Sequence, residues 1–224
     1  MKLSVSDLSK YLGVVPGTIE RWVRQGKLPA SREGGNYRFR TGELQKWASK
    51  NNICLNIFDK GVVEKKIESD ISLYRAVENG GVYFDISGND VPSVLKAFLE
   101  KISILPDDFK ADLFDRLIER EQALSTGIGN GIAIPHPRVQ LGYLKEPLVA
   151  VCFPENPVDY NALDRKPVTT LFLILCPDLK LHLHLLSSLS FCLRDKSFIQ
   201  FLKSRPGQKA LVEKIEDVQT LNTL

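Results

Sequence analysis

Apolar positions recur along the chain with two different periods, and the changes of period mark out its elements. Val5, Leu8 and Leu12 fall at helical spacing, and Gly13 closes the run. Ser4, followed three residues later by Asp7, forms a capping box with Asp in place of the usual Glu. Pro16 then occupies a first helical position, where its missing N–H has no helical partner. Ile19, Trp22 and Val23 predict the buried stripe of this second helix. Thr18, Arg21 and Arg24 are left on its outer side, and Gly26 is the natural carboxyl cap. Residues 29–33 and 37–40 flank Gly34-Gly35-Asn36 and predict a β-hairpin with cationic arms. A third helix starts near Thr41 and returns Leu44 and Trp47 to the core. Two short helices around a tight glycine turn, followed by such a hairpin, make a winged helix-turn-helix.

Residues 49–68 hold no clean period, so the boundary falls between 50 and 66. Ile53, Leu55, Ile57 and Phe58 are available there to pack on one domain or to make a subunit contact. From residue 67 onward, helix and strand alternate. A short helix around 70–78 ends at Asn79-Gly80-Gly81, and 82–86 reads as a strand. Val91, Val94, Leu95, Phe98, Leu99 and Ile102 line one helix; Phe109, Leu113, Leu117 and Ile118 line another over 107–121. Strands are expected at 148–153 and 168–175. Leu181, Leu185, Leu189 and Leu193 then begin a helical tail that continues at 196–203 and 207–216. Such alternation predicts a layered α/β domain with a mixed sheet flanked by helices, carried behind the small winged helix. The expected division is 1–50, a connector over 51–66, the α/β domain over 67–218, and a tail over 219–224.

Within that domain, residues 125–129 and 132–134 flank Asn130-Gly131, a two-residue hairpin signal that demands positive φ. The G-x-G-x-G spacing fits neither the dinucleotide fingerprint nor the P-loop, so these glycines bend backbone and call for no nucleotide. His136 follows between two prolines, which hold the imidazole on a stiff, non-helical segment. Local chemistry alone leaves both a functional and a structural histidine open there. His182 and His184 form an H-x-H in a segment whose leucines recur at i+4, and on a helix the two rings stand roughly 200° apart. No carboxylate lies at ligand spacing near either motif, so no metal is expected; with no nucleotide called for by the glycines, the expectation is a chain without a cofactor.

The 224 residues carry a net charge of +3, which conceals an asymmetry. Residues 1–55 hold 10 Lys and Arg against 4 Asp and Glu, a balance of +6, whereas 56–224 hold 20 against 23, a balance of −3. A concentrated basic region is the footprint of a polyanion-binding surface, with a merely solubilising face as the alternative. The four cysteines lie 98, 24 and 16 residues apart with no CxxC, which suits reduced thiols better than disulfides or zinc. The longest apolar runs are six residues against the ~18 that span a bilayer, and the amino end lacks an export signal. A cytoplasmic protein with no membrane partner is the expectation.

Two resemblances follow from these motifs. The succession GV-x(4)-I-x(2)-W, G-K-L-P-A and G-G-x-Y-R-F in residues 3–49 resembles the winged helix-turn-helix of the excisionase and MerR-type families. That resemblance implies DNA as partner. Thr18, Arg21 and Arg24 would face the major groove, while Lys27, Arg32 and Arg38 would meet phosphate. Val15 departs from the pattern, standing where such helices often carry a Ser or Thr cap. A lone winged helix presents a small surface, so a homodimer or a second DNA site is expected; a winged helix used only for protein contacts is the alternative.

The stretch R-E-x(3)-S-T-G-I-G-N-G-I-A-I-P-H, with the later H-L-H-L-L-S-S-L, is similar to the active-site signature of the phosphotransferase-system enzyme IIA domains of fructose/mannitol type and their nitrogen-regulatory branch. The similarity spans about residues 67–218. It implies that His136 accepts a phosphoryl group from the histidine-containing phosphocarrier protein, on the ring nitrogen remote from the backbone. His182 would be the second pocket histidine, and Arg120 would stabilise phosphate charge. Thr126 and Asn130 would line the pocket, and Arg138 would dock a partner. The expected function is a transcriptional regulator controlled by phosphorylation of His136. The alternative is a IIA phosphocarrier that passes phosphate to a downstream acceptor.

Overall fold

The computed structural model describes residues 1–51, 53–55 and 72–220. These fall into two compact units. The first contains β1 (Lys2–Leu3), α1 (Val5–Leu12), α2 (Pro16–Arg24), β2 (Ser31–Glu33), β3 (Asn36–Arg40) and α3 (Thr41–Lys50). The Ser4–Asp7 capping box is formed, and Gly13 ends α1 in the left-handed region with φ +63°. β2 and β3 meet through Gly34 and Gly35, both at positive φ, as a tight two-residue hairpin requires. β1 is too short to show a period in the sequence; it pairs antiparallel with β3 and completes the order β1-β3-β2. Leu8, Leu12, Ile19, Trp22, Phe39 and Leu44 form the core. Trp47 sits at its edge, 6.5 Å from the Trp22 ring, and its indole N–H donates to the Lys27 carbonyl at 2.7 Å.

Two expectations for α2 need correction. Thr18 is buried, at 5 % exposure, and so is not presented on the outer face. It precedes Trp22 by four residues and therefore shares the inward stripe. Val23, expected in that stripe, is only half-buried. Val15 caps α2 without a side-chain hydrogen bond. Ile53 is buried and Leu55 half-buried; Ile57 and Phe58 lie outside the described residues. The unit also includes Val139–Glu146 and Cys176–Asp178. There the Leu141 N–H donates to the Cys176 carbonyl at 2.8 Å, and the Cys54 N–H to the Tyr143 carbonyl at 3.0 Å.

The second unit is the layered α/β domain. Its elements are α4 (Leu73–Gly80), β4 (Val82–Ile86), α5 (Val91–Lys101), α6 (Asp107–Ala123), β5 (Gly127–Gly129), β6 (Ile132–Ala133), β7 (Leu148–Pro154), β8 (Thr170–Leu175), α7 (Leu179–Cys192), α8 (Lys196–Leu202) and α9 (Gln208–Thr220). The sheet runs β4-β7-β8-β6-β5 and is mixed, since β4 joins β7 and β6 joins β8 in parallel while β7–β8 and β5–β6 are antiparallel. Every residue of β7 and β8 is buried, which explains why both read as continuous apolar runs and not as alternation. α4 lies so close to β7 that a Cβ on Gly80 would stand 2.5 Å from the Ala150 nitrogen and closer still to the Val149 carbonyl. Among the described residues, no helix is long and apolar enough to cross a membrane.

Candidate functional site

The β5–β6 hairpin turns at Asn130 (φ +54°) and Gly131 (φ +77°), as the Asn-Gly pair predicts. Its tip is held by Asp164, whose carboxylate accepts the Asn130 N–H at 2.9 Å and the Lys166 N–H at 3.1 Å. β6 runs into Ile134-Pro135, and the Pro135 carbonyl accepts the Ile174 N–H at 3.0 Å, fastening the segment to β8. With Pro137 on its other side, His136 projects from backbone that has little freedom to move.

The His136 ring is oriented by a 2.8 Å bond between Nδ1 and the Ile134 carbonyl. A carbonyl only accepts, so Nδ1 carries the proton and Nε2 presents its lone pair. Facing that lone pair is Arg120, from the last turn of α6, whose Nε–H points at Nε2 from 3.3 Å. The same guanidinium donates to the Leu124 carbonyl at 2.6 Å, which fixes its aim. His182, in the first turn of α7, places its ring 5.1 Å from that of His136, tilted by 42°. Burial, helped by the charges of Arg120 and His182, holds the His136 pKa below its ordinary value of 6.5, against the opposing effect of the Ile134 bond. Burial, then Arg120, does the same for His182. Both rings are therefore neutral near pH 7, the form in which Nε2 is a nucleophile.

The structure thus brings together Arg120, His136 and His182. His184 lies on the same helix but is exposed. Thr126 is buried and acts from behind, its carbonyl accepting the Ile134 N–H at 3.1 Å. Asn130 shapes the hairpin tip, and Arg138 stands exposed two residues beyond His136. Glu121 did not emerge from the sequence as a site residue, although it follows Arg120 in the same motif. Its carboxylate accepts the Thr126 N–H at 2.8 Å and also the Thr126 hydroxyl. Among the described residues, no group of three His, Cys, Asp or Glu side chains is placed to hold a metal ion.

In the amino-terminal unit, Arg24, Lys27 and Arg32 are exposed, and Arg21 and Arg38 are half-buried. Arg24 makes a 3.7 Å pair with Glu20 on its own helix. Arg32 stacks over the Tyr37 ring at 5.2 Å and donates to its hydroxyl at 3.1 Å, which stiffens the hairpin.

An α/β domain with an arginine and two neutral imidazoles at a strand end, carried behind a helix-turn-helix, has counterparts among known proteins. Residues 77–218 match the family described as phosphoenolpyruvate-dependent sugar phosphotransferase system, EIIA 2, and residues 3–52 match a helix-turn-helix domain family. The chain belongs to the EIIA 2 family, with a helix-turn-helix domain at its amino end. It is 35 % identical over 152 residues to a nitrogen regulatory protein of Pseudomonas aeruginosa, a match covering 66 % of this chain and 97 % of that protein. The nitrogen regulatory protein of Escherichia coli K12 is 38 % identical over 109 residues, 48 % of this chain and 66 % of its own length. Among solved structures, the nitrogen regulatory protein IIA-Ntr of Neisseria meningitidis aligns with TM-score 0.52 and 30 % identity, over 61 % of this chain and 94 % of that one. These likenesses place the α/β domain with the nitrogen-regulatory branch of the EIIA-type phosphocarriers.

Proposed function

We propose that this chain is a phosphocarrier whose His136 accepts a phosphoryl group at Nε2 from a histidine-containing phosphocarrier protein. The observation that carries the reading is the pair of contacts on one ring, with Nδ1–H committed to the Ile134 carbonyl and Nε2 turned toward Arg120. In the transfer, the Arg120 Nε–H leaves the Nε2 lone pair and turns to the incoming phosphoryl oxygens. The freed lone pair forms the new N–P bond while the donor's N–P bond breaks, and the donor nitrogen departs with the electron pair. The proton stays on Nδ1, where the Ile134 carbonyl supports the positive charge developing on the ring. The transition state is loose, so the protein contributes chiefly position and charge: Arg120 offsets the phosphoryl oxygens, and His182 borders the same space. Asn130 would line the pocket mouth, and exposed Arg138 would engage the partner's acidic surface. The test is direct. Incubation with the phosphorylated phosphocarrier should yield an acid-labile adduct that His136→Ala abolishes; absence of the adduct on the parent chain refutes the reading.

A second function is favoured by the concentration of a +6 balance in residues 1–55 and by the cationic hairpin bearing Arg32 and Arg38. In this reading the amino-terminal unit binds DNA in the manner of the excisionase and MerR-type winged helices. Arg21 and Arg24 contact the groove, Lys27, Arg32 and Arg38 contact phosphate, and two copies act together to enlarge the contact. The negative charge gained by His136 then alters DNA affinity, making the chain a cytoplasmic transcription regulator whose IIA domain is of the fructose/mannitol lineage. Gel-shift binding to genomic fragments, with and without the adduct, tests it: equal affinity in both states removes the regulatory role.

A further inference from the structure

Arg120 and Glu121 are consecutive residues in the last turn of α6, yet they act on opposite sides of the reacting ring. Arg120 points at Nε2. Glu121 turns inward and takes both donors of Thr126, the backbone N–H at 2.8 Å and the hydroxyl. Holding a residue by its amide and its side chain at once fixes its backbone and its χ1. The residue so fixed supplies the carbonyl that receives the Ile134 N–H at 3.1 Å. Ile134 in turn supplies the carbonyl that receives Nδ1–H at 2.8 Å. An unbroken run of contacts therefore leads from the Glu121 carboxylate, through Thr126 and Ile134, to the nitrogen that sets the tautomer of His136.

We infer that Glu121 is a positioning residue for phosphoryl transfer: by clamping Thr126 it sets the distance between α6 and the His136 segment, and with it the Arg120–Nε2 approach and the Nδ1–H tautomer. Several features concur. α6 loses its helical continuation at Leu124, whose φ of −167° is extended, so without another tie its last turn would be free to shift. The Arg120–Leu124 bond holds the arginine to its own chain and not to the hairpin. Glu121 ties the last turn to Thr126, the residue just before β5, and Ser125 reinforces the tie by donating to the Tyr160 carbonyl. Thr126 is only 5 % exposed, so its donors are shielded from water and depend on Glu121. A misplacement of about 1 Å in such a site lowers a rate by up to roughly 100-fold, so a clamp remote from the chemistry has kinetic weight.

The inference rests on His136 being the acceptor, and its test has one arm that does not. Glu121→Gln can still accept the Thr126 N–H with its oxygen and can donate to the hydroxyl with its amide, so it keeps the clamp and loses only the charge. Glu121→Ala removes the clamp. In single-turnover phosphorylation by the phosphorylated phosphocarrier, Glu121→Ala should lower the maximal rate about 10- to 100-fold. The half-saturating carrier concentration should stay unchanged, and Glu121→Gln should recover most of the rate. Independently of any phosphorylation, nitrogen-15 NMR of His136 should show Nδ1–H dominant in the parent and in Glu121→Gln, and a mixed tautomer in Glu121→Ala. Should Glu121→Ala fail to fold, Thr126→Val, which keeps the N–H and deletes the hydroxyl, takes its place with the same expected direction. The inference is overturned if the clamp-breaking variant keeps both rate and tautomer, or if Glu121→Gln is as impaired as Glu121→Ala. A parent chain that forms no adduct but shows the tautomer change retains the clamp and rejects the acceptor reading instead.

Discussion

Arg120 is the side chain whose removal most sharply tests the chemistry assigned to His136. Its Nε–H donates to the attacking nitrogen over 3.3 Å, so a phosphoryl group taking that lone pair turns the guanidinium onto its oxygens as a close ion pair. At the ~4 Å of such a pair, two unit charges are worth ~4 kcal/mol at an effective dielectric of ~20, and ~1 kcal/mol in bulk water. Arg120 is half-buried, so its contribution falls between these limits, at about 1–3 kcal/mol, which corresponds to a loss of roughly 5- to 150-fold in rate for Arg120→Ala. The same charge also helps hold the His136 pKa down. The reactive form is the neutral ring, so the parent's rate falls as pH drops through a pKa below 6.5. In Arg120→Ala one of the influences depressing that pKa is gone, and the acid limb should move to higher pH. The assay is the rate of acid-labile phosphate incorporation from the phosphorylated phosphocarrier between pH 5 and 8, with His136→Ala as the blank. If Arg120→Ala stays within about twofold of the parent and its acid limb does not move, the electrostatic role is wrong.

Other consequences are as specific. Gly80→Ala would drive a methyl into the Val149–Ala150 backbone and should destabilise the second unit by about 1–3 kcal/mol in denaturant unfolding; an unchanged midpoint would mean that α4 does not sit that close to β7. Both pocket histidines have folded pKa values below the ordinary 6.5, so the unfolded chain binds protons first. Stability should be full above pH 6.5 and fall as pH drops through the folded values, and the pH dependence should flatten in His136→Ala; a slope unchanged by that substitution counts against a buried neutral ring. Thr18→Val should leave DNA affinity unaltered because the side chain is buried, whereas Arg24→Ala should weaken binding by about 1–3 kcal/mol and relax its sequence preference, and Arg32→Ala should reduce the salt slope by about 1; loss of affinity in Thr18→Val but not in Arg24→Ala would restore Thr18 to the groove.

Much of the architecture was legible in the order of residues because local physics determines it. Ser4 and Asp7 cap α1, Gly34-Gly35 and Asn130-Gly131 make their turns, and the strand over 82–86 has the predicted bounds. His136 stood out because flanking prolines restrict backbone whatever surrounds them. The sequence also divided the charge, with the basic surplus confined to residues 1–55.

Tertiary structure decided the rest. β1 is two residues long and exists because β3 offers it a partner, so no period within it could announce it. Thr18 turned inward because Trp22, one helical turn on, belongs to the core; its polar side chain suggested the opposite face. Which of His182 and His184 joins His136 depends on how α7 rotates against the sheet, and that rotation comes from packing by residues far apart in sequence. The same holds for the two neighbours at the end of α6. The order of residues placed Arg120 and Glu121 side by side, but only the fold turned one toward the lone pair of His136 and the other toward Thr126, whose carbonyl braces the residue that holds its proton.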